Sequence, residues 1–240
     1  MIDVISHLQQ LLHADIQRIH VPDNSSISRQ AAQRLTAVAE YSPAFLVLLV
    51  EPWLHTETLS ERTIQLLEDA ARVHLYARIL DDALDENLPV YRRNLLRAQP
   101  LFWCAVQRIG ANVSAEVAAE AVQLIADTVS AVQIDDQRPN PEYWGAKNHH
   151  MLLAPLLLSN NNEAYQQCSP ELSTVIALVQ AGDEWRQGEL NCPQLRTDFI
   201  DFLTKHLEPE PLAVLKQHGW HGVAERIIWD ARQLLTAISQ

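Results

Sequence analysis

Glycine is scarce in this chain, with six residues in 240, and β-branched runs are few. That excludes a glycine-rich phosphate loop and argues against a hairpin-rich fold, since both need glycine backbone. Cysteine is scarcer still, with Cys104, Cys168 and Cys192. They are odd in number, scattered and without metal-ligand spacing, so they read as ordinary thiols of a reducing cytoplasm. Long hydrophobic runs are missing. The most apolar stretch, residues 44–50, falls far short of the ~20 residues that span a bilayer. Met1-Ile2-Asp3-Val4 does not begin a signal peptide, so a soluble protein without membrane insertion is expected. Positive charge is in deficit, 18 Lys and Arg against 30 Asp and Glu, for a formal net charge of −12. Nucleic acid and anionic membrane suit such a surface poorly, and an anionic substrate would need local cations. No Gly-x-Ser-x-Gly turn or Cys/His pair offers a nucleophile. His149-His150 and the isolated His13, His20, His55, His206, His218 and His221 lack i,i+4 or zinc-type spacing and read as surface or core residues.

Helical periodicity is plentiful. A first helix is expected over residues 2–20, with Ile5, Leu8, Leu12, Ile16 and Ile19 inward. A serine cap at Ser26 or Ser28 opens a second to about Tyr41, and Pro43 opens a short apolar third. Ser60 caps the next, with Glu61 in its first turn, and Pro89 ends it. Residues 92–110 and 114–134 follow. Asn140-Pro141-Glu142 starts a helix that carries Lys147 and is kinked by Pro155. Ser169-Pro170-Glu171 opens another, and the last helices cover 195–206, 209–218 and 221–238. Trp53, Trp103, Trp144, Trp185 and Trp229 fit core positions. No stretch reads as a linker and no repeat stands out, so residues 1–240 are expected to form one all-α domain.

Two helices carry polar chemistry. In the first, Leu66, Ala70, Val73, Ala77, Leu80 and Leu84 mark a buried face. Asp81 and Asp85 stack one turn apart, and His74 and Arg78 continue their row along the edge of that face. Asp82 and Glu86 form a second row. Like charges at i,i+4 repel, and the helix dipole disfavours acids at a C-terminal end. The cluster is therefore either a solvated helix end or a site for a hard divalent cation. In the second helix, Ile176, Val179 and Leu190 define the inward arc, where Gln180, Asp183 and Gln187 also fall, with Glu184 beside it. Gly182 thins the helix next to Asp183, which suits close approach of a ligand or neighbouring helix. A buried hydrogen-bond network and a second metal face remain open there.

His74, followed seven residues on by Asp81-Asp82-x-x-Asp85 and preceded by Glu68, resembles the first aspartate-rich helix of trans-isoprenyl diphosphate synthases and their class I terpene synthase relatives. Arg92-Arg93 resemble the paired arginines after that motif, at a gap two residues longer. Tyr143-Trp144-x-x-Lys147 is similar to the family's lysine helix, and Gln180-x-x-Asp183-Glu184-x-x-Gln187 has the spacing of its second motif. The resemblance covers roughly residues 60–195. It implies an α-helical bundle of the terpenoid synthase type around a central apolar cavity. Three Mg²⁺ ions would join both acidic motifs to the diphosphate of a prenyl substrate. It further implies Asp81, Asp85, Asp183 and Glu184 as metal ligands, with Asp82 and Glu86 in support. Arg92, Arg93, Lys147, His74, Arg78, Gln180 and Gln187 would lie around the diphosphate, and Tyr76, Phe102 and Trp103 would line the cavity. A homodimer is compatible with the same resemblance.

The departures narrow the reading. Gln187 replaces the last acid of the second motif, no Gly-Lys-x-x-Arg element precedes Glu68, and no lysine follows the second motif up to Asp201. A reaction of one prenyl diphosphate, ending in cyclisation or elimination, is therefore expected over chain elongation. A prenyltransferase that passes the allylic cation to an acceptor is the alternative, and a non-catalytic helical partner subunit is a third.

Overall fold

A computed structural model describes residues 3–54, 59–135, 141–159, 162–188, 193–207 and 210–239. Among these the chain is entirely helical, without strands. In order the helices are α1 (Val4–Ile19), α2 (Ser26–Leu49), α3 (Glu51–Leu54), α4 (Glu61–Glu86), α5 (Pro89–Asn112), α6 (Ala115–Asp135) and α7 (Pro141–Ala146). A 3-10 turn, His149–Leu152, follows, then α8 (Leu153–Leu158), α9 (Asn162–Gln187), α10 (Pro193–Leu207), α11 (Ala213–Gln217) and α12 (His221–Ile238). No helix is long and apolar enough to cross a membrane.

Local chemistry sets the ends of α4. The Ser60 hydroxyl accepts from Thr63 N at 3.1 Å, and Asn87 closes the helix with a left-handed φ of 48°. Leu88 and Pro89 then begin α5. Helix α4 lies along α5 and also touches α1, α2, α6, α8 and the 3-10 turn. Covered on so many sides, it is buried over most of its circumference, from Leu66 to Ala83. Leu84, expected on the inward stripe, is 42% exposed, because in the last turn it is Asp82 and Ala83 that are buried, against Arg34, Ala31, Val90 and Tyr91. One hydrophobic cluster joins α1 (Leu8, Leu12) through α4 and α9 to α12 (Val223, Ile238).

Three prolines sit inside helices. The expected break near Pro43 is absent, since α2 continues to Leu49; likewise α9 starts upstream of Pro170, and α5 runs through Pro100. A proline inside a helix costs about 3 kcal/mol. In α2 and α9 both flanks bury apolar residues in the same core, Leu35 and Leu46 around Pro43, Cys168 and Leu172 around Pro170, which holds the halves in line. The helix expected to carry Lys147 and kink at Pro155 is instead divided upstream: α7 ends at Ala146, the 3-10 turn follows, and Pro155 lies in the first turn of α8. Trp144 is buried as expected, whereas Trp103 and Trp229 are each 63% exposed.

The last helix is tied down by an acid from across the fold. Glu51 accepts from Gly222 N at 2.9 Å and from Val223 N at 3.0 Å, capping α12. A Cβ at Gly222 would lie 2.7 Å from that carboxylate. Gly222→Ala and Glu51→Ala are each expected to cost about 1–2 kcal/mol in denaturant unfolding. The double variant should cost little more than either single change, because both remove the same cap.

Candidate functional site

The polar row of α4 descends from core to solvent. His74 is buried, Arg78 and Asp81 are partly buried, and Asp85 is exposed in the last turn. Arg78 Nη1 lies 2.8 Å from Asp81 Oδ2. Ala77, Arg78 and Asp81 of α4 line a narrow cleft together with Val132 of α6, Lys147 and Asn148 of the segment after α7, and His150 of the 3-10 turn. Its volume is about 10 Å³, the space of one water or one oxygen.

Lysine 147 connects this cleft to α9. Its Nζ donates to Glu184 Oε1 at 3.2 Å, and Gln180 Nε2 donates to the same oxygen at 2.5 Å. Asn148 Nδ2 donates to Gln180 Oε1 at 3.0 Å, so Asn148, Gln180 and Glu184 form one chain. The reach is short because α7 packs tightly on α9. A Cβ at Gly145 would meet Ala177 Cβ and Ser173 O, both at 3.4 Å. Gly182 does not serve that purpose, since a Cβ there would meet only the Arg186 side chain.

The inward acid of α9 is Glu184, not Asp183. Glu184 is buried, while Asp183 is half-exposed and paired with Arg186. Ile176 is buried as expected and Val179 only half-buried, while Ala177, Ala181 and Glu184 form a further buried row beside them. Gln187 ends α9, and its side chain lies outside the described residues.

The remaining acids and arginines lie elsewhere. Arg34 of α2 donates to Asp82 at 2.9 Å and to Glu86, and its guanidinium sits 5.8 Å from the Tyr91 ring centre. Burial pushes the Asp82 carboxyl up, against the lowering effect of its Arg34 bond. Arg92 is exposed and donates to Asn87, and Arg93 is exposed and 3.6 Å from Asp23. Glu68 contacts His7 Nε2 at 2.8 Å. Tyr76 stacks on Phe102 at 4.1 Å between α4 and α5, away from the cleft-lining residues.

A buried histidine pair backs the cleft. His74 Nδ1 lies 2.8 Å from His150 Nε2, and His74 Nε2 lies 2.7 Å from Ser42 Oγ. Burial, with a smaller contribution from Arg78, lowers the pKa of His74 to about 3. Burial, then the nearby His74, Arg78 and His149, hold that of His150 well below the ordinary value. Both rings are therefore neutral near pH 7. Sequence patterning missed Arg34, Ser42, Asn148 and His150. Only the adjacent His149-His150 pair hinted at the last, and nothing local marks the others.

For a metal, the donors are of the right kind, since Asp81, Asp85, Asp183 and Glu184 offer the carboxylate oxygens that Mg²⁺ prefers. Asp81, Asp183 and Glu184 are each held by a cation. Among the described residues no three His, Cys, Asp or Glu side chains are grouped around one point. Of these four acids only Asp81 lines the cleft. Comparison with models of known families, with curated proteins and with solved structures finds no match.

Proposed function

We propose that the chain is a class I terpene synthase-like enzyme that binds an allylic prenyl diphosphate at the cleft between α4, α6 and the segment from Lys147 to the 3-10 turn, and releases pyrophosphate. The observation that carries this reading is the convergence of both polar helices on Lys147, which lines the cleft beside Arg78 and Asp81 and bonds Glu184. In this reading the bundle is of the terpenoid synthase type, with the prenyl chain lodged among the apolar residues of α4, α6 and α8.

Both cations of the cleft wall are held in ion pairs, Arg78 by Asp81 and Lys147 by Glu184. A diphosphate offers both cations a more highly charged partner, and their transfer to it frees the two carboxylates. Asp81, Asp85, Asp183 and Glu184 would then hold Mg²⁺, which when bound neutralises the charge that grows on the leaving pyrophosphate. Gln180 and Asn148 keep Glu184 oriented throughout. The neutral, buried His74 and His150 keep water and added charge from the wall behind the forming cation.

The test is incubation with geranyl, farnesyl and geranylgeranyl diphosphate and Mg²⁺, with pyrophosphate and organic products both measured. Turnover of a single substrate supports the reading, and turnover only with added isopentenyl diphosphate assigns the chain to the prenyltransferases. Asp81→Asn is expected to lower turnover at least a hundredfold while changing stability by under about 1 kcal/mol, because its ion pair lies near the surface.

One observation favours a second reading. Asp81, Asp82, Glu86, Asp183 and Glu184 are all engaged by Arg or Lys, as in a helical subunit that keeps the fold without the chemistry. Such a protein would release no pyrophosphate and bind none, with or without Mg²⁺.

A further inference from the structure

The cleft wall holds a buried polar atom that has no partner. His150 is 2% exposed, and its Nε2 is committed to His74. The other ring nitrogen, Nδ1, is buried and makes no hydrogen bond. The chain of contacts behind it fixes where the protons sit. Among the described residues, the Ser42 hydroxyl bonds only to His74 Nε2. A hydroxyl that donates there leaves the His74 proton on Nδ1, which donates to His150 Nε2 and leaves the His150 proton on Nδ1. The reverse order leaves the His150 lone pair unmet and obliges the half-buried Ser42 O–H to find water instead of a protein acceptor. The order in which Ser42 donates satisfies more of these groups within the protein, and it puts the unpaired N–H on His150.

The cleft that His150 lines carries two cations in its wall, Arg78 and Lys147, around a space the size of one oxygen. Its single acid, Asp81, is already held by Arg78. We propose that His150 Nδ1–H is a neutral donor to an anionic phosphate oxygen that enters the cleft, a third binding group beside Arg78 and Lys147. The inference rests on the site described under the proposed function and names one of its binding residues. A ring kept neutral by burial, His74, Arg78 and His149 can donate to the anion without giving up its proton.

The test uses the full chain labelled with ¹⁵N-histidine and long-range ¹H–¹⁵N spectra, titrated with inorganic pyrophosphate and separately with farnesyl diphosphate. His150 is expected as the Nδ1–H tautomer, with a proton signal that moves on addition of either ligand. His150→Phe should weaken pyrophosphate binding roughly ten- to a hundredfold, and His150→Asn, which keeps an amide N–H near the same place, should recover part of it. If His150→Phe does not fold, the wild-type spectra decide alone. An Nε2–H tautomer, an unmoved His150 signal at saturating pyrophosphate, or no pyrophosphate binding at all overturns the inference. Turnover of a prenyl diphosphate with the His150 signal unmoved defeats this inference only. A moving signal without turnover of any prenyl diphosphate defeats the enzymatic reading and leaves this one standing.

Discussion

Asp69→Ala is expected to destabilise the protein by about 2–4 kcal/mol in denaturant unfolding, the largest effect of any single acid in the acidic helix. Asp69 is fully buried on α4 and accepts from Arg108 of α5 through Nε at 3.0 Å and through Nη2, and from Arg72 at 3.4 Å. Arg72 Nε in turn donates to Asp15 of α1 at 2.9 Å, and Asp15 is also buried. The four residues tie α1, α4 and α5 together below the candidate site. Removing one partner of a buried ion pair costs about 3–5 kcal/mol, because the other charge stays desolvated. The figure here is lower, since Arg72 keeps Asp15 and the Arg108 side chain is 39% exposed and can turn to water. Asp69→Leu combined with Arg108→Met should recover most of the loss, as an apolar pair of similar volume often replaces a buried ion pair without cost. Asp81→Asn should show the reverse pattern, with little stability lost and the proposed turnover gone.

Acid is expected to unfold the protein steeply below about pH 6.5. His74 and His150 are buried and neutral, with folded pKa values lowered to about 3 and well below the ordinary value of 6.5 respectively. The unfolded chain takes up a proton at each as pH falls through about 6.5, while the folded protein does not until much lower pH. Stability is thus full above pH 6.5 and is lost as pH falls towards 3, at about 1.4 kcal/mol per pH unit for each histidine. His74 alone removes about 2 kcal/mol of the full stability by pH 5, and His150 acts in the same direction. Asp82 opposes this, since its raised pKa lets the folded state bind a proton first at lower pH. Urea midpoints measured from pH 5 to 8 check the slope. His74→Asn should flatten it, and an unchanged slope in that variant would show that the pair does not carry it.

Much of the acidic helix was legible in advance, because its signals are local. Ser60 marks the start, and Asn87-Leu88-Pro89 the end, with the His74–Arg78–Asp81–Asp85 row one helical turn per step. The identity of the inward acid on α9 was not. Hydropathy rightly placed Ile176 inward, but the burial extends round to Ala177, Ala181 and Glu184 beside α7, while Val179 is only half-buried. Alanine weighs little in a hydrophobic pattern, yet it is what permits the close contact at Gly145. Arg34 escaped for a different reason: its partner Asp82 is 48 residues away, and no periodic rule reaches that far. The helices through Pro43 and Pro170 show tertiary packing overriding a local breaker.

The most direct test of the central claim is pyrophosphate release from geranyl, farnesyl and geranylgeranyl diphosphate by the wild type and by Lys147→Ala, with Mg²⁺ present and after chelation. Lys147 is where the two polar helices meet, so its loss should reduce release at least a hundredfold. Mg²⁺-dependent release by the wild type, lost in Lys147→Ala, is the predicted result. No release from any of the three substrates by a folded wild-type protein, or equal release by the variant, would contradict it.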